Sequence, residues 1–401
     1  MVNLGGISPE EFLRDYWQKK PLLIRQAFAD YQCPVSPDEL AGLACEEGVE
    51  SRIVAETDNG KPWQVKSGPF AEDHFSTLPP THWTLLVQGL DYWVPEVSDL
   101  LEQFRFIPNW RIDDIMASYA PDQGSVGPHY DHYDVFLLQA QGRRSWRVGP
   151  RCTGREPRVE GTPLRILQDF ETVEEWVLEP GDMLYLPPLY AHYGVAQGDC
   201  ITFSIGFRSP THQEMLSSWA DFAFDQIKDE IHLDDPNLQF QANPGEITPK
   251  VLDEVEQILT SHVQRRRMLA EWFGRFTSEA KHPGIVEPPE QALKPAELRD
   301  ALDEGALLRR NEGSRFSFTE IDGCFLFFAD GDCHELIGPA CQLARQLCAT
   351  NQYELDEFGE ALADETCINL LTRLFNEGSL YLEDDADFDD EDQDWDDEEQ
   401  E

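Results

Sequence analysis

Seven short runs of residues that favour β-strands follow one another between residues 110 and 208. Turn residues separate them, and the runs read DDIMASYA, YDVFLLQAQ, RRSWRVG, EEWVLEPGD, MLYLPP, HYGVAQ and CITFSIGF. Several short strands with turns at this spacing predict a β-sandwich or a β-barrel. At 401 residues the chain is long enough for two or three domains, of which this β-rich segment is one.

Two consecutive copies of a His-Tyr-Asp triplet lead into the second run, in SVGPHYDHYDVFLLQ (residues 125–139). A histidine and an aspartate two positions apart on an extended chain point to the same side, so either copy can offer two ligands to one metal ion. A Gly-Pro step places the first copy at the mouth of the strand, whereas the second copy runs into apolar residues. We therefore predict that His129 and Asp131 bind the metal. His132 and Asp134 have the opposite parity and are expected to face outward or to lie behind the ligands. The alternative for a single His-x-Asp triplet is a strand whose polar side chains lie at the protein surface and bind no metal.

A third candidate ligand follows in EPGDMLYLPPLYAHYGVA (residues 179–196). A turn, a short strand and two prolines lead to His192. Such a unit after a His-x-Asp strand is how a double-stranded β-helix, or cupin barrel, brings a distal histidine to the first pair. Two histidines and one aspartate on one face of a metal leave three positions open, as in the non-haem Fe(II) oxygenases. A closed tetrahedral zinc site has no such room for a bidentate co-substrate and O2.

The return strand QGRRSWRVG (residues 141–149) places an arginine where the interior of the barrel is expected. Arg144, Trp146 and Val148 share one face, and a buried cation needs an anionic partner. A dicarboxylate co-substrate would supply one, because arginine binds carboxylates in a bidentate manner. The alternative is that Arg143 and Arg144 both lie at the surface and that only the aliphatic part of one side chain is buried. Arg143 and Arg147 are expected to face outward.

Two serines lie on strands that are predicted to line the interior, Ser118 in IMASYA and Ser204 in TFSIGF. Each hydroxyl can hydrogen-bond a co-substrate carboxylate, and each can equally be a satisfied hydroxyl of the core. Both are therefore candidates for co-substrate binding.

The remaining sequence predicts a helical region and a smaller α/β piece. Residues 211–275 carry apolar side chains at helical spacing, and these amphipathic helices either cap the barrel or form a dimer interface. Beyond a proline-rich linker, helices and a terminal β-ribbon suggest a winged-helix-like module. Its acidic composition favours a structural or protein-binding role over DNA binding. The last residues are predicted to form a disordered acidic tail.

The formal net charge is −46, with 77 acidic and 31 basic residues. Such a surface repels nucleic acid, so direct nucleic-acid binding is not expected. The charge reflects either adaptation to salt and solubility or a strongly basic partner that the acidic field attracts. Nine cysteines without a Cys-x-x-Cys pair favour neither disulfides nor a zinc ribbon. The sequence shows no secretory signal and no long apolar run, so we expect a reduced cytoplasmic protein that does not enter a membrane.

These motifs resemble the Jumonji-C (JmjC) oxygenases and, more narrowly, the bacterial ribosomal oxygenases, which hydroxylate an arginine of a large-subunit ribosomal protein. The likeness rests on GPHYDHYDVFLLQAQGRRSWRVG and EPGDMLYLPPLYAHYGVA, and it extends to FLRDYWQKKPLLIRQAF near the N-terminus. It implies an α+β architecture: a JmjC double-stranded β-helix domain over residues 1–210, a helical dimerisation region over 211–278, a winged-helix-like domain over 279–384 and the acidic tail over 385–401. Together with the central helices, it favours a homodimer. The long tail and the extreme charge depart from the family.

The resemblance also implies roles for the candidate residues. The three metal candidates fall on the iron ligands, and Arg144 falls on the basic residue that holds the distal carboxylate of 2-oxoglutarate. Ser118 and Ser204 fall on positions that contact the co-substrate. With Fe(II), 2-oxoglutarate and O2, the enzyme would add a hydroxyl to the β-carbon of an arginine in a basic ribosomal protein.

An acidic groove would favour the guanidinium of such a substrate, and Asp113, Asp114 and Tyr119 are candidates for gripping it. Two alternatives stay open. The target is a histidine of a ribosomal protein, as in eukaryotic relatives, or the chain is a non-catalytic acidic binder of basic proteins. A binder would not need the intact triad and Arg144. A histone-type demethylase is less favoured, since no chromatin-reading module is apparent.

Overall fold

The computed structural model describes residues 2–56, 63–227, 231–282, 284–353, 358 and 362–383. The chain forms two compact units, Met1–Ser209 and Pro210–Glu401, each with its own apolar core. No helix among the described residues is long and apolar enough to span a bilayer. The predicted acidic tail, residues 385–401, lies outside the described part of the chain.

Antiparallel strands make up most of the first unit. Its helices are α1 (Pro9–Asp15), α2 (Pro37–Leu43), α3 (Glu72–Phe75) and α4 (Pro95–Ser98), with 3-10 turns at Leu90–Tyr92, Asp99–Phe104 and Asn109–Arg111. Its strands are β1 (Leu22–Ile24), β2 (Ser51–Glu56), β3 (Trp63–Ser67), β4 (Trp83–Val87), β5 (Ile112–Ala120), β6 (Asp134–Gln141), β7 (Arg144–Arg151), β8 (Glu174–Leu178), β9 (Met183–Leu186), β10 (Tyr190–Ala196) and β11 (Cys200–Phe207). All seven runs predicted to be strands are strands, β5 to β11.

Two sheets face each other across an apolar interior. The large sheet has the order β1-β9-β6-β11-β5-β4-β2-β3, and the small sheet has the order β10-β7-β8. Alternate side chains point between the sheets, so Leu137 of β6 and Leu184 of β9 meet Trp146 and Val148 of β7 in one buried cluster. This closed pair of antiparallel sheets is the predicted double-stranded β-helix.

The outer face of the large sheet packs on the N-terminal segment. The predicted helix forms α1, whose N-cap Ser8 accepts a hydrogen bond from the backbone N–H of Glu11 at 3.2 Å. Phe12 of α1 is fully buried, and its ring lies edge-on to Tyr185 of β9 with 4.8 Å between the centroids. The other face of the large sheet is therefore left to line the interior.

The strand predicted over KPLLIRQAF is shorter than expected, because β1 ends at Ile24. The carboxylate of Asp182 accepts a hydrogen bond from the backbone N–H of Gln26 at 3.0 Å and one from the guanidinium of Arg25 at 2.5 Å. The Asp182 side chain thus accepts from the backbone N–H that would otherwise extend the pairing of β1 with β9.

The second unit combines helices with two small sheets. Its helices are α5 (His212–Gln226), α6 (Pro249–Val263), α7 (Arg266–Ser278), α8 (Pro295–Asp303), α9 (Pro339–Ala349) and α10 (Glu365–Asn376). Its strands are β12 (Leu307–Arg310), β13 (Phe316–Ile321), β14 (Cys324–Ala329), β15 (Asp332–Leu336), β16 (Gln352–Tyr353) and β17 (Leu380–Glu383). The sheets have the orders β16-β12-β17 and β13-β14-β15, and α8, α9 and α10 contribute to the core with them.

Within the helical pattern predicted over residues 211–275, Gln264 and Arg265 separate α6 from α7. Helices α5 and α7 pack through Trp219 and Trp272, whose rings meet edge to face at 5.5 Å. Helix α6 buries no side chain against the described residues. It exposes a set of large apolar side chains, Leu252, Val255, Ile258, Leu259 and Val263.

Candidate active site

A two-way backbone bridge joins the two strand ends that carry the candidate histidines. The N–H of His129 donates to the carbonyl of His192 at 3.0 Å, and the N–H of His192 donates back at 2.8 Å. The N–H of Leu189 donates to the carbonyl of Asp131 at 2.7 Å. Strand pairing therefore fixes the positions of all three candidate ligands before any metal binds.

The three side chains converge on one point. The Asp131 carboxylate lies 3.5 Å from Nε2 of His192 and 3.9 Å from Nε2 of His129. The ligand atoms all lie within 4.8 Å of one another, and they form the one such cluster among the described residues. Two imidazole nitrogens and one carboxylate oxygen suit Fe(II) and leave further coordination positions open.

Backbone carbonyls orient both imidazoles. Nδ1 of His129 lies 2.9 Å from the carbonyl of Gly127, and Nδ1 of His192 lies 3.0 Å from the carbonyl of Tyr190. Since a carbonyl only accepts, each Nδ1 carries the proton and each Nε2 keeps its lone pair for a metal. Burial, together with the neighbouring His129, lowers the pKa of His192 to about 4, so its imidazole is neutral at physiological pH.

The second copy of the triplet does not reach this cluster. His132 is exposed at the surface. Asp134 is fully buried on the outer face of the large sheet, where it accepts hydrogen bonds from Tyr185 at 2.7 Å and Gln18 at 2.8 Å and pairs with Arg111 at 3.0 Å. Burial raises the pKa of the Asp134 carboxyl against these partners. Asp134 thus ties the N-terminal segment to β6.

Arg144 lies inside the barrel and has too few partners for a buried cation. It is 4% exposed, and its Nη1 donates to the Ser118 hydroxyl at 3.2 Å. Its Nε and Nη2 are buried without a hydrogen-bond partner, and no carboxylate among the described residues lies within ion-pair distance of it. The guanidinium sits 5.8 Å from the centre of the Trp146 ring. Two free donors on a buried positive charge suit an incoming carboxylate.

A row of polar side chains crosses the large sheet behind this guanidinium. Ser118, Thr202 and Gln139 are cross-strand neighbours on β5, β11 and β6. The Ser118 hydroxyl donates to the Thr202 carbonyl at 3.3 Å, and the Thr202 hydroxyl donates to Gln139 at 3.1 Å. Thr202 and Gln139 were missed by the sequence reasoning, although Thr202 shares the face of Ser204. Ser204 itself lies opposite Met116 and Leu137, two residues along β11 from this row.

Asp114 lies on the same face of β5 as Ser118, the face that is turned to the interior of the barrel. Asp114 is buried and accepts a hydrogen bond from Gln88 at 2.8 Å. The pKa of Tyr133 is raised, chiefly by the negative charge of Asp131, with burial and the charge of Asp114 as further causes. Tyr133 is not among the residues predicted from the sequence. Tyr119, a predicted substrate contact, lies on the opposite face of β5 and packs against Trp83, so the structure does not bring it to the site.

Comparisons with known proteins agree with this geometry. Residues 99–215 match the JmjC domain family, and residues 259–381 match the ROXA-like winged helix family. The ribosomal protein uL16 3-hydroxylase of Escherichia coli is 35% identical over 93% of this chain and 97% of its own length. A probable ribosomal oxygenase of Haemophilus influenzae is 37% identical over 78% of this chain and 79% of its own.

The same likeness is found among solved structures. The structure of the E. coli ribosomal oxygenase YcfD in complex with cobalt and 2-oxoglutarate has a TM-score of 0.85 at 34% identity, and the match covers 96% of this chain and 100% of that one. These matches confirm the predicted family and fold class. The chain belongs to the JmjC-domain ribosomal oxygenases that carry a ROXA-like winged helix.

Proposed function

We propose that the chain is an Fe(II)- and 2-oxoglutarate-dependent oxygenase that adds a hydroxyl to the β-carbon of an arginine in a large-subunit ribosomal protein. The observation that carries the proposal is the buried, under-partnered guanidinium of Arg144 in the same barrel as the metal cluster. The name of the E. coli relative, a uL16 3-hydroxylase, supports the substrate class and the β-carbon, which is carbon 3 of the amino acid.

Each part of the site has a separate task in this reaction. His129, Asp131 and His192 hold the iron, which supplies the activation of O2. Arg144 binds a carboxylate of 2-oxoglutarate through Nε and Nη2, while Ser118 fixes the guanidinium by accepting from Nη1. The apolar interior around them excludes water and strengthens these charge-assisted bonds.

The substrate arginine suits the acidic side of the site. Asp114 is buried, its carboxylate accepts a hydrogen bond from Gln88, and its charge contributes to the raised pKa of Tyr133. The carboxylate of Asp114 is therefore the candidate partner for the guanidinium of the substrate. The net charge of −46 favours a basic partner on a longer range, and it opposes direct binding of nucleic acid. A ribosomal substrate implies that the enzyme works in the cytoplasm.

The apolar face of α6 supports a homodimer. Leu252, Ile258 and Leu259 are 57%, 44% and 64% exposed, and α6 has no buried residue that would explain them. A second copy of the chain would cover such a face. Leu252→Glu with Leu259→Glu should give monomers in light scattering after gel filtration, whereas Lys250→Glu on the polar side of α6 should leave a dimer. A wild-type monomer would refute this part of the proposal.

Product analysis tests the proposed activity. The purified chain, Fe(II) and 2-oxoglutarate are incubated with ribosomal proteins that lack the modification, and tandem mass spectrometry maps any gain of one oxygen. His129→Ala should lose the activity, and His132→Ala is the matched control from the second triplet and should keep it. A gain on a single arginine supports the proposal. The same gain on a histidine keeps the chemistry and changes the substrate. No gain and no succinate, with tight binding to basic proteins, would leave only an acidic binder.

A further inference from the structure

The side chain of Trp146 contains a further hydrogen-bond donor without a partner inside the barrel. The residue is 5% exposed, and its indole N–H is buried without a hydrogen-bond partner among the described residues. A buried N–H that has left water without a replacement partner destabilises a fold. Neither the metal cluster nor the hydrogen bond between Arg144 and Ser118 accounts for it.

The indole lies between the two parts of the site already described. Along the inner face of β7, Arg144, Trp146 and Val148 are paired with Ala196, Gly194 and His192 of β10. The Trp146 ring lies 5.8 Å from the Arg144 guanidinium and 6.0 Å from the His192 ring, measured to the ring centres. A molecule that spans from the metal to Arg144 must therefore pass the indole.

The surrounding backbone holds the ring in this place. A Cβ built on Gly194 would lie 2.7 Å from two carbon atoms of the Trp146 ring, so the glycine is needed for the close approach of β10. On the other side, Trp176 of β8 is the cross-strand partner of Trp146 and packs on the same cluster. The close approach of β10 fixes the position of the ring and with it the position of its N–H.

We propose that the indole N–H of Trp146 donates a hydrogen bond to a carboxylate oxygen of 2-oxoglutarate, beside the Nε and Nη2 donors of Arg144. The inference rests on the proposed function. A carboxylate accepts about four hydrogen bonds, so two from Arg144 leave room for another. Trp146 is then a co-substrate-binding residue that selects a ligand with acceptor oxygens along its length, and an apolar molecule of the same size would leave the N–H unsatisfied.

Equilibrium binding separates this role from packing. Calorimetry without O2 measures the affinity of the full-length chain, loaded with Mn(II), for 2-oxoglutarate and for succinate. Trp146→Phe keeps an aromatic ring but removes the donor, and it should weaken 2-oxoglutarate at least about tenfold, as expected for a hydrogen bond to a charged group. Trp176→Phe removes the neighbouring indole, for which we propose no hydrogen bond to the co-substrate, and it should stay within about twofold of wild type. The affinity for Mn(II) should be unchanged in both variants.

A ring of unchanged size gives the second test. Replacing Trp146 with 3-benzothienylalanine exchanges the N–H for sulfur, and it should weaken 2-oxoglutarate as much as Trp146→Phe does. Equal affinities of wild type and this variant would overturn the inference, and so would equal losses in the Trp146 and Trp176 variants. Failure of the proposed function looks different, because the wild-type chain itself would then bind no 2-oxoglutarate.

Discussion

Replacing Arg144 with methionine should stabilise the ligand-free protein while it abolishes co-substrate binding. The guanidinium is buried with one hydrogen bond and no carboxylate partner among the described residues. Without 2-oxoglutarate, the folded protein therefore contains a buried charge that no anion compensates. Methionine has a similar length and no charge. Function and stability therefore make opposite demands on this position.

The structure sets the size of both effects. Nε and Nη2 are the two donors available to a carboxylate, and each hydrogen bond to a charged group is worth about 1.5–3 kcal/mol. Losing both should weaken 2-oxoglutarate by about 3–6 kcal/mol, or roughly two to four powers of ten. Replacing a poorly compensated buried charge with an apolar side chain stabilises by about 1–4 kcal/mol, less about 1 kcal/mol for the lost bond to Ser118.

Urea unfolding without ligand and calorimetry with 2-oxoglutarate measure the two quantities on the same samples. Arg147→Met is the matched control, because Arg147 lies on the outer face of the same strand, stacked 4.6 Å from the centre of the Tyr193 ring. The control should retain binding and gain no stability. An Arg144→Met variant that unfolds more easily than wild type without ligand, or that binds 2-oxoglutarate with wild-type affinity, would contradict this prediction.

Three further changes test other parts of the structure. Gly194→Ala should lower the free energy of unfolding by about 1–3 kcal/mol in urea, because its methyl group would lie 2.7 Å from the buried Trp146 ring; wild-type stability would contradict that close approach. Asp134→Ala should cost about 3 kcal/mol in the same assay, since Tyr185 and its other partners lose their acceptor. Metal titration of the Asp134→Ala variant should show unchanged affinity, and a lost metal site would contradict the placement of Asp134 on the outer face. Burial lowers the pKa of His334, so protonation favours the unfolded chain, and the stability this group contributes is lost as the pH falls below about 6.5. His334→Phe should reduce the pH dependence of the free energy of unfolding between about pH 7.5 and pH 5.5, by at most about 1.4 kcal/mol per pH unit. An unchanged pH dependence would contradict the lowered pKa of His334.

The strands and the metal cluster could be predicted because their signals are local. Side-chain alternation separated His129 and Asp131 from the second triplet, and it placed Arg144 on an inner face. The row behind Arg144 could not be predicted, because Thr202 and Gln139 meet only through the register of β11 on β6, and register depends on the whole sheet.

Other differences come from contacts between distant segments. The end of β1 depends on Asp182, which is far away in the sequence and competes for a backbone donor. Tyr119 could not lie at the site together with Ser118, because neighbouring residues of a strand cannot both point inward. Ser118 points inward, so Tyr119 points to the opposite face. The effect of Asp131 on the pKa of Tyr133 depends on loop geometry for which the sequence carries no periodic signal.

The reciprocal hydrogen bonds between His129 and His192 also set a condition on biosynthesis. The two residues are 63 positions apart (192 − 129), and β11, which lies between β6 and β5 in the large sheet, is made later still. A growing chain cannot present the complete set of ligands until the barrel has closed. Iron would then bind only the finished fold and protect it from unfolding by mass action. A cell short of iron would therefore hold fewer folded copies of this protein, as well as less active ones.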